Sequence, residues 1–232
     1  MTTPVALILG AGPRVGGSVA AKLASKGYSV AIASRSGTGN RTSEGYLSLQ
    51  ADFAKPETVP ALFDAVKTAF QAAPSVVVYN AASLTPPPDA ASILSIPVER
   101  VTSDLNINTV SPYVAAQQAV QAWEGAGLPA STKKTFIYTG NILNVEVRPV
   151  GLMLNLGVGK SASAYWLGAA DASYAARGYR FFYADERAAD GKSIGQALDG
   201  PAHAEFFAQL VEHEEGIPWH ATFVKGKGYV KF

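Results

Sequence analysis

The chain has 232 residues, 48% of them hydrophobic and 16% charged, with a formal net charge of +1. That composition suits one large α/β domain with a packed core, and it excludes a disordered tail; the near-neutral charge gives no basis for nucleic acid or a membrane surface as partner. With no cysteine, disulfides, thiolate catalysis and cysteine-based metal sites are excluded as well.

Val5 to Leu9 is a continuous apolar run that stops at glycine, the pattern of a parallel strand covered on both faces. It is too short to span a membrane and carries no basic segment before it, so it is read as a strand, and the expected location is cytoplasmic. Val15 to Lys26 reads as a helix stopped by Gly27, Tyr28 to Ser34 as a second strand, and Tyr46 to Ala51 as a short third one. The apolar residues Val59, Leu62, Phe63, Val66 and Phe70 place an amphipathic helix over Glu57 to Ala73. Ser75 to Tyr79 is a fourth strand, Val98 to Trp123 a long helix, and Thr135 to Thr139 a fifth strand. A helix over Lys160 to Arg177, a strand over Tyr179 to Ala184, a core helix over Ala202 to Glu214 and a last strand over Ala221 to Lys225 complete the series. The alternation specifies a doubly wound, Rossmann-type parallel sheet of about seven strands, with helices on both faces, spanning 1–232 as one domain. In such sheets ligands bind beyond the carboxyl ends of the strands.

Chemistry concentrates there. Gly10-Ala11-Gly12-Pro13-Arg14-Val15-Gly16 joins the first strand to the first helix. Glycines let the backbone approach a pyrophosphate, and the helix start offers free N–H groups; Arg14 is placed to lie against a phosphate. The second strand ends in Ser34-Arg35-Ser36, with no acid until Glu44. NAD-binding sheets usually carry an acid at that point for the ribose hydroxyls, whereas a planar guanidinium suits a 2′-phosphate. NADP(H) is therefore expected over NAD(H). His203, His213 and His220 have no recognised metal spacing and are expected to be exposed or capping residues, so no metal site is expected.

The spacing from Gly10 to Gly16 resembles the Gly-x-x-x-Gly-x-Gly turn of the short-chain dehydrogenase/reductase family, with Arg14 where the middle glycine is expected. The resemblance extends over roughly residues 5 to 185. By it, Asp52 and Phe53 end the third strand against the adenine edge, and Tyr79-Asn80-Ala81-Ala82 is similar to the family's Asn-Asn-Ala-Gly element. Asn106-Ile107-Asn108 matches the stretch whose second asparagine, here Asn108, kinks a helix and supports the active-site lysine through a water. Lys160 matches that lysine, and Thr139 or Asn141 takes the place of the catalytic serine, depending on register. The resemblance implies substrate loops at about 84–97 and 142–158, acting as a flexible lid over a small-molecule substrate, and a homodimer or homotetramer.

One position departs. The family's proton donor is a tyrosine one helical turn before the lysine, and here that residue is Leu156. Tyr165, about 140° further round the helix than Lys160, faces elsewhere; Tyr138 and Tyr183 either reach the cleft with their hydroxyls or are core aromatics. A lysine near a helix start opposes the dipole, which points to a bound cofactor as its reason. Lys160, Asn108, Asn141 and Thr139 are then expected to form a polar pocket, with Met153, Leu154 and Leu156 as its apolar wall. The leading expectation is an NADP(H)-dependent oxidoreductase that reduces a small carbonyl or activated alkene with an atypical proton donor. The alternatives are non-redox chemistry on the same fold (cyclisation, isomerisation or dehydration) and a non-catalytic nucleotide sensor.

Overall fold

The apolar runs of the sequence are the strands of one sheet in the computed structural model, which describes residues 3–125, 127–129 and 131–232. In chain order these are β1 (Val5–Leu9), β2 (Ser29–Ser34), β3 (Leu47–Gln50), β4 (Val76–Tyr79), β5 (Lys134–Thr139), β6 (Tyr179–Glu186), β7 (His220–Val224) and β8 (Gly228–Tyr229). Their spatial order is β3-β2-β1-β4-β5-β6-β7-β8, parallel throughout except for the antiparallel β7–β8 pair. The sheet thus has eight strands where about seven were expected. The extra one is a two-residue return after a turn at Gly226, too short to leave a hydrophobic pattern. Chain order reverses at β1, whose neighbours are β2 and β4, so a crevice opens beyond Leu9.

Helices α1 (Val15–Ser25) and α6 (Gly200–Val211) cover one face, burying Val19, Leu23, Phe206, Phe207 and Leu210 against Ile8, Val78, Ile137 and Phe182. The other face is covered by α2 (Val59–Phe70), α3 (Val98–Leu105), α4 (Ser111–Glu124) and α5 (Leu154–Tyr174), with Phe63, Trp123 and Leu167 on Tyr79, Phe136, Tyr138 and Phe181. Each fully buried aromatic or aliphatic side chain contributes roughly 1.5–3 kcal/mol, so both layers are strongly held. Because side chains alternate along β6, Phe181, Tyr183 and Asp185 face the α5 layer while Phe182, Ala184 and Glu186 face α6.

Two helices are less regular than their hydrophobic patterns alone suggest, in ways that matter for the site. The long helix is interrupted by a π-helical turn at Asn106–Val110, between α3 and α4 and around Asn108, the residue expected to kink it. Such a turn frees backbone carbonyls, and they are taken: Tyr79 Oη donates to Ile107 O at 2.6 Å, and Tyr138 Oη and Ser163 Oγ both donate to Asn108 O at 2.8 Å. Helix α5 starts at Leu154 rather than Lys160, following a 3₁₀ turn at Gly151–Met153. Gly157 and Gly159 lower its intrinsic propensity and hide that start in the sequence. Gly159 is needed, because a Cβ there would lie 2.4 Å from Asn108 Cβ where α5 crosses the π turn. Among the described residues no helix is long and apolar enough to cross a membrane, and no group of three or more His, Asp or Glu side chains is placed to hold a metal ion.

Candidate active site

The glycine turn is shaped by close approach. Gly10 has φ +97°, and a Cβ on it would fall 2.3 Å from Ala81 N; a Cβ on Gly16 would fall 2.7 Å from Gly10 O. Gly16 is therefore buried behind the turn, letting α1 start against it, whereas a Cβ on Gly12 would meet nothing within 4 Å. Helix α1 has no side-chain cap and no acidic residue in its first turn. Its opening N–H groups and the positive end of its dipole thus remain open to an anion. Asn80 Nδ2 donates to Gly10 O at 2.8 Å and fixes the end of β4 to the turn.

Two adjoining cavities share Gly12, Pro13, Asn80, Ala82 and Leu84. The first, about 910 Å³, is lined by Gly10, Ser34, Arg35, Asp52, Phe53 and Ala81 among others. Arg35 is exposed there, as is Arg14 at the second cavity, and neither guanidinium is in an ion pair among the described residues. Asp52 caps Ala54 N at 3.1 Å. Arg100, from α3, also lines this cavity and carried no sequence signal.

The second cavity, about 460 Å³, contains Arg14, Val15, Thr139, Asn141, Leu156 and Lys160 in its wall. Lys160 is 4% exposed; its Nζ donates to Thr139 O at 2.7 Å and sits 4.3 Å over the Tyr138 ring. Burial lowers its pKa to about 7, opposed by the charge of Asp185. Since Lys160 lies in the second turn of α5 and not at its start, the cost of its charge is desolvation rather than the helix dipole. Thr139 Oγ1 is buried without a hydrogen-bond partner. Asn141 Oδ1 accepts from Leu143 N at 3.0 Å, capping the 3₁₀ turn Ile142–Asn144. The segment expected as a loop at 142–158 is thus partly helical at both ends.

The expected polar pocket is only partly assembled. Lys160, Thr139 and Asn141 share one cavity wall, but Asn108 lies behind it, fully buried, accepting from Ser83 N at 2.9 Å and donating to Ser83 O at 2.7 Å. It anchors the chain beyond β4 and makes no direct bond to Lys160. The phenols are absent from the cleft. Tyr138 Oη is spent on Asn108 O, and Tyr183 Oη bonds both N and O of Asn141; burial pushes both hydroxyls upward in pKa. Tyr165 is 83% exposed on the outside of α5. Leu156, in the tyrosine position, is buried beside Met153 in the wall.

The histidine expectation is corrected in part: none of the three is exposed, while His213 closes the end of α6 in the left-handed conformation, its N–H donating to Leu210 O at 3.0 Å. His213 pairs with Thr135 Oγ1 at 2.9 Å, His220 with Asn144 Nδ2 at 3.3 Å, and His203 is fully buried in the second cavity's wall beside Glu186. Of that last pair, His203 was expected at the surface or as a cap, and Glu186 was not singled out from sequence. A polar Asp185-Glu186-Arg187 tail ending an apolar strand was the available signal.

No family model matches the chain. A curated relative, the short chain dehydrogenase/reductase dmxR12 of Cryptosporiopsis sp. strain 8999, is 39% identical over all of this chain and 96% of its own. Among solved structures, a mutant short-chain dehydrogenase/reductase from Serratia marcescens matches with a TM-score of 0.75 at 19% identity, over 96% of each chain. A metagenomic short-chain oxidoreductase in complex with NADP gives 0.74 at 15%, over 95% of this chain and 96% of that one. A 3-oxoacyl-acyl-carrier-protein reductase from Brucella melitensis in complex with NAD gives 0.74 at 18%, over 92% of both. At those identities the solved structures speak for the fold, while the full-length relative speaks for descent: this chain belongs to the short-chain dehydrogenase/reductase family of oxidoreductases.

Proposed function

We propose that the protein is an NADP(H)-dependent oxidoreductase that reduces a small carbonyl or activated alkene, with Lys160 in place of a phenol as the group that moves the proton. The observation that carries this reading is Lys160 itself: buried in the wall of the cavity that adjoins the glycine turn, near Thr139, and held by burial at about 7. A general acid works best when its pKa lies near the operating pH, and a lysine at 7 meets that condition where an ordinary one does not.

The residues fit a dinucleotide. The uncapped start of α1 and the bare backbone at Gly12 suit a pyrophosphate, and Asp52, Phe53 and Asn80 line the cavity on the adenosine side. Arg35, with no acid following β2, favours a 2′-phosphate and hence NADP(H). The complexes of distant relatives with NADP and with NAD support a nicotinamide cofactor in general. When bound, that cofactor supplies the hydride. Thr139 Oγ1 donates to the substrate oxygen, which relieves its unmet bond, while Lys160 Nζ holds the proton that the oxygen receives. Leu156, Met153 and Leu143 keep water from the reacting carbon.

Leu156 is the observation that favours the other reading, a nucleotide-binding protein with non-redox chemistry or none, because it removes the family's usual donor. Titration with NADPH and NADH, followed by NADPH oxidation across a panel of ketones, aldehydes and enones, separates the two. Tighter binding of NADPH with turnover of a panel member supports the reductase; tight binding without turnover supports the other reading, and no binding of either nucleotide removes the reductase. A second copy of the chain packing on α4 and α5, where Tyr113 and Tyr165 are exposed beside Trp166, completes the proposal as a homodimer or homotetramer.

A further inference from the structure

Glu186 ends β6 on the α6 side of the sheet, and His203 sits in the first turns of α6; their side chains are 1% and 0% exposed. Both line the cavity that holds Thr139 and Lys160. Glu186 Oε2 accepts from Asp199 N at 2.9 Å and lies 3.3 Å from His203 Nδ1. His203 Nδ1 is 2.8 Å from Asp199 O. A carbonyl oxygen only accepts, so the imidazole proton resides on Nδ1 and Nε2 carries a lone pair. Burial lowers the His203 pKa, which keeps the ring neutral, and Phe207 and Phe223 meet it edge-on.

Each side chain is therefore half satisfied. Glu186 Oε1 and His203 Nε2 are both buried with no hydrogen-bond partner. A buried acceptor left bare is destabilising, and Glu186 and His203, whose side chains meet at 3.3 Å, each carry one in a structure that satisfies nearly every other buried polar atom among the described residues. Such a pair is worth keeping where a ligand brings the missing donors. Arg14 and Val15 of the α1 start line the same cavity, and a Cβ on Gly200, at the start of α6, would touch Arg14 O. The pair is thereby placed close to the glycine turn, in the cavity that also holds Lys160.

We propose that Glu186 and His203 form an acceptor site for the amide N–H₂ of the nicotinamide carboxamide, so that two side chains of this chain recognise the reactive end of the cofactor. The inference rests on the nucleotide-binding reading above. It assigns a role to residues that the glycine turn, Arg35 and Lys160 leave unexplained.

The test compares dissociation constants for three oxidised dinucleotides: NADP, its thionicotinamide analogue, which keeps the N–H₂ group, and its 3-acetylpyridine analogue, which lacks it. Wild-type protein is expected to bind the first two alike and the third roughly five- to tenfold more weakly, the size of one net buried hydrogen bond. His203→Phe, which places an aromatic ring among Phe207 and Phe223, and Glu186→Gln, which retains an acceptor for Asp199 N, are each expected to weaken NADP and the thio analogue while leaving the acetyl analogue unchanged. Should one variant not fold, the other still decides, because a wild-type preference alone does not say which acceptor holds the N–H₂ group. Equal wild-type binding of NADP and the acetyl analogue overturns the proposal, as does a preference that survives in both variants. If none of the three dinucleotides binds, the nucleotide-binding reading has failed, which is a different result from equal binding.

Discussion

The two ends of the cleft solve opposite problems. At the end by the glycine turn the polar groups are left open: α1 has no side-chain cap, Gly12 is bare, and Arg14 and Arg35 are exposed with no ion pair among the described residues. At the chemical end almost every polar group is already engaged by the protein. Lys160 bonds Thr139 O, Asn141 caps its own turn, Tyr183 grips the Asn141 backbone, and Asn108 grips Ser83. What remains bare there is small and buried: Thr139 Oγ1, Glu186 Oε1 and His203 Nε2. An open, cationic end suits capture of a phosphate-rich ligand, while a closed end with few unmet groups makes each of them decisive.

Removing Lys160 should separate the ends most sharply. Lys160→Met is expected to reduce carbonyl turnover by about 10²–10⁴-fold, the usual worth of a general acid, measured as NADPH oxidation at saturating substrate. The affinity for NADPH should change far less. Next in size is Arg35→Asp, expected to weaken NADPH by roughly 10–100-fold and NADH little, in line with the loss of charge-assisted bonds to a phosphate; equal losses for both nucleotides in a binding titration would erase the distinction between NADP and NAD. Thr139→Val should lower turnover by about tenfold with NADPH binding unchanged, because it removes one neutral donor to the substrate oxygen.

A further effect of the Lys160 substitution concerns stability and carries the opposite sign. A buried lysine whose folded pKa lies at about 7, against 10.5 for the ordinary group, binds fewer protons in the native state than in the unfolded state between those values. Wild-type stability should therefore rise with pH across that window and be penalised in full below it. Lys160→Met removes the penalty and should stabilise the protein at pH 6 by about 1–4 kcal/mol, as apolar replacement of buried charge often does. Urea midpoints at pH 6 and pH 9 check both the gain and the flattened pH dependence.

The same contrast explains what the sequence disclosed. The glycine turn and Arg35 follow strand ends and depend on local backbone, so the residues themselves mark them, while Asp52 and Asn80, also at strand ends, came from the family resemblance. The π turn, the early start of α5 and the fates of Tyr138 and Tyr183 depend on packing between distant segments. Asn108 illustrates this: its identity is visible in the chain, but its bonding to Ser83 arises from the meeting of β4 and the helix break. The pairing of Glu186 with His203 was invisible for a similar reason, since the two are joined only when α6 folds back over β6. The β8 return left too short a pattern to be noticed.

The pH dependence of NADPH-driven reduction tests the central claim most directly. A lysine that must be protonated to act predicts a rate constant at saturation that is level below pH 7 and falls about tenfold per unit above it, with that limb missing from the residual activity of Lys160→Met. A wild-type rate that stays level to pH 9, or a falling limb that persists in Lys160→Met, would contradict it.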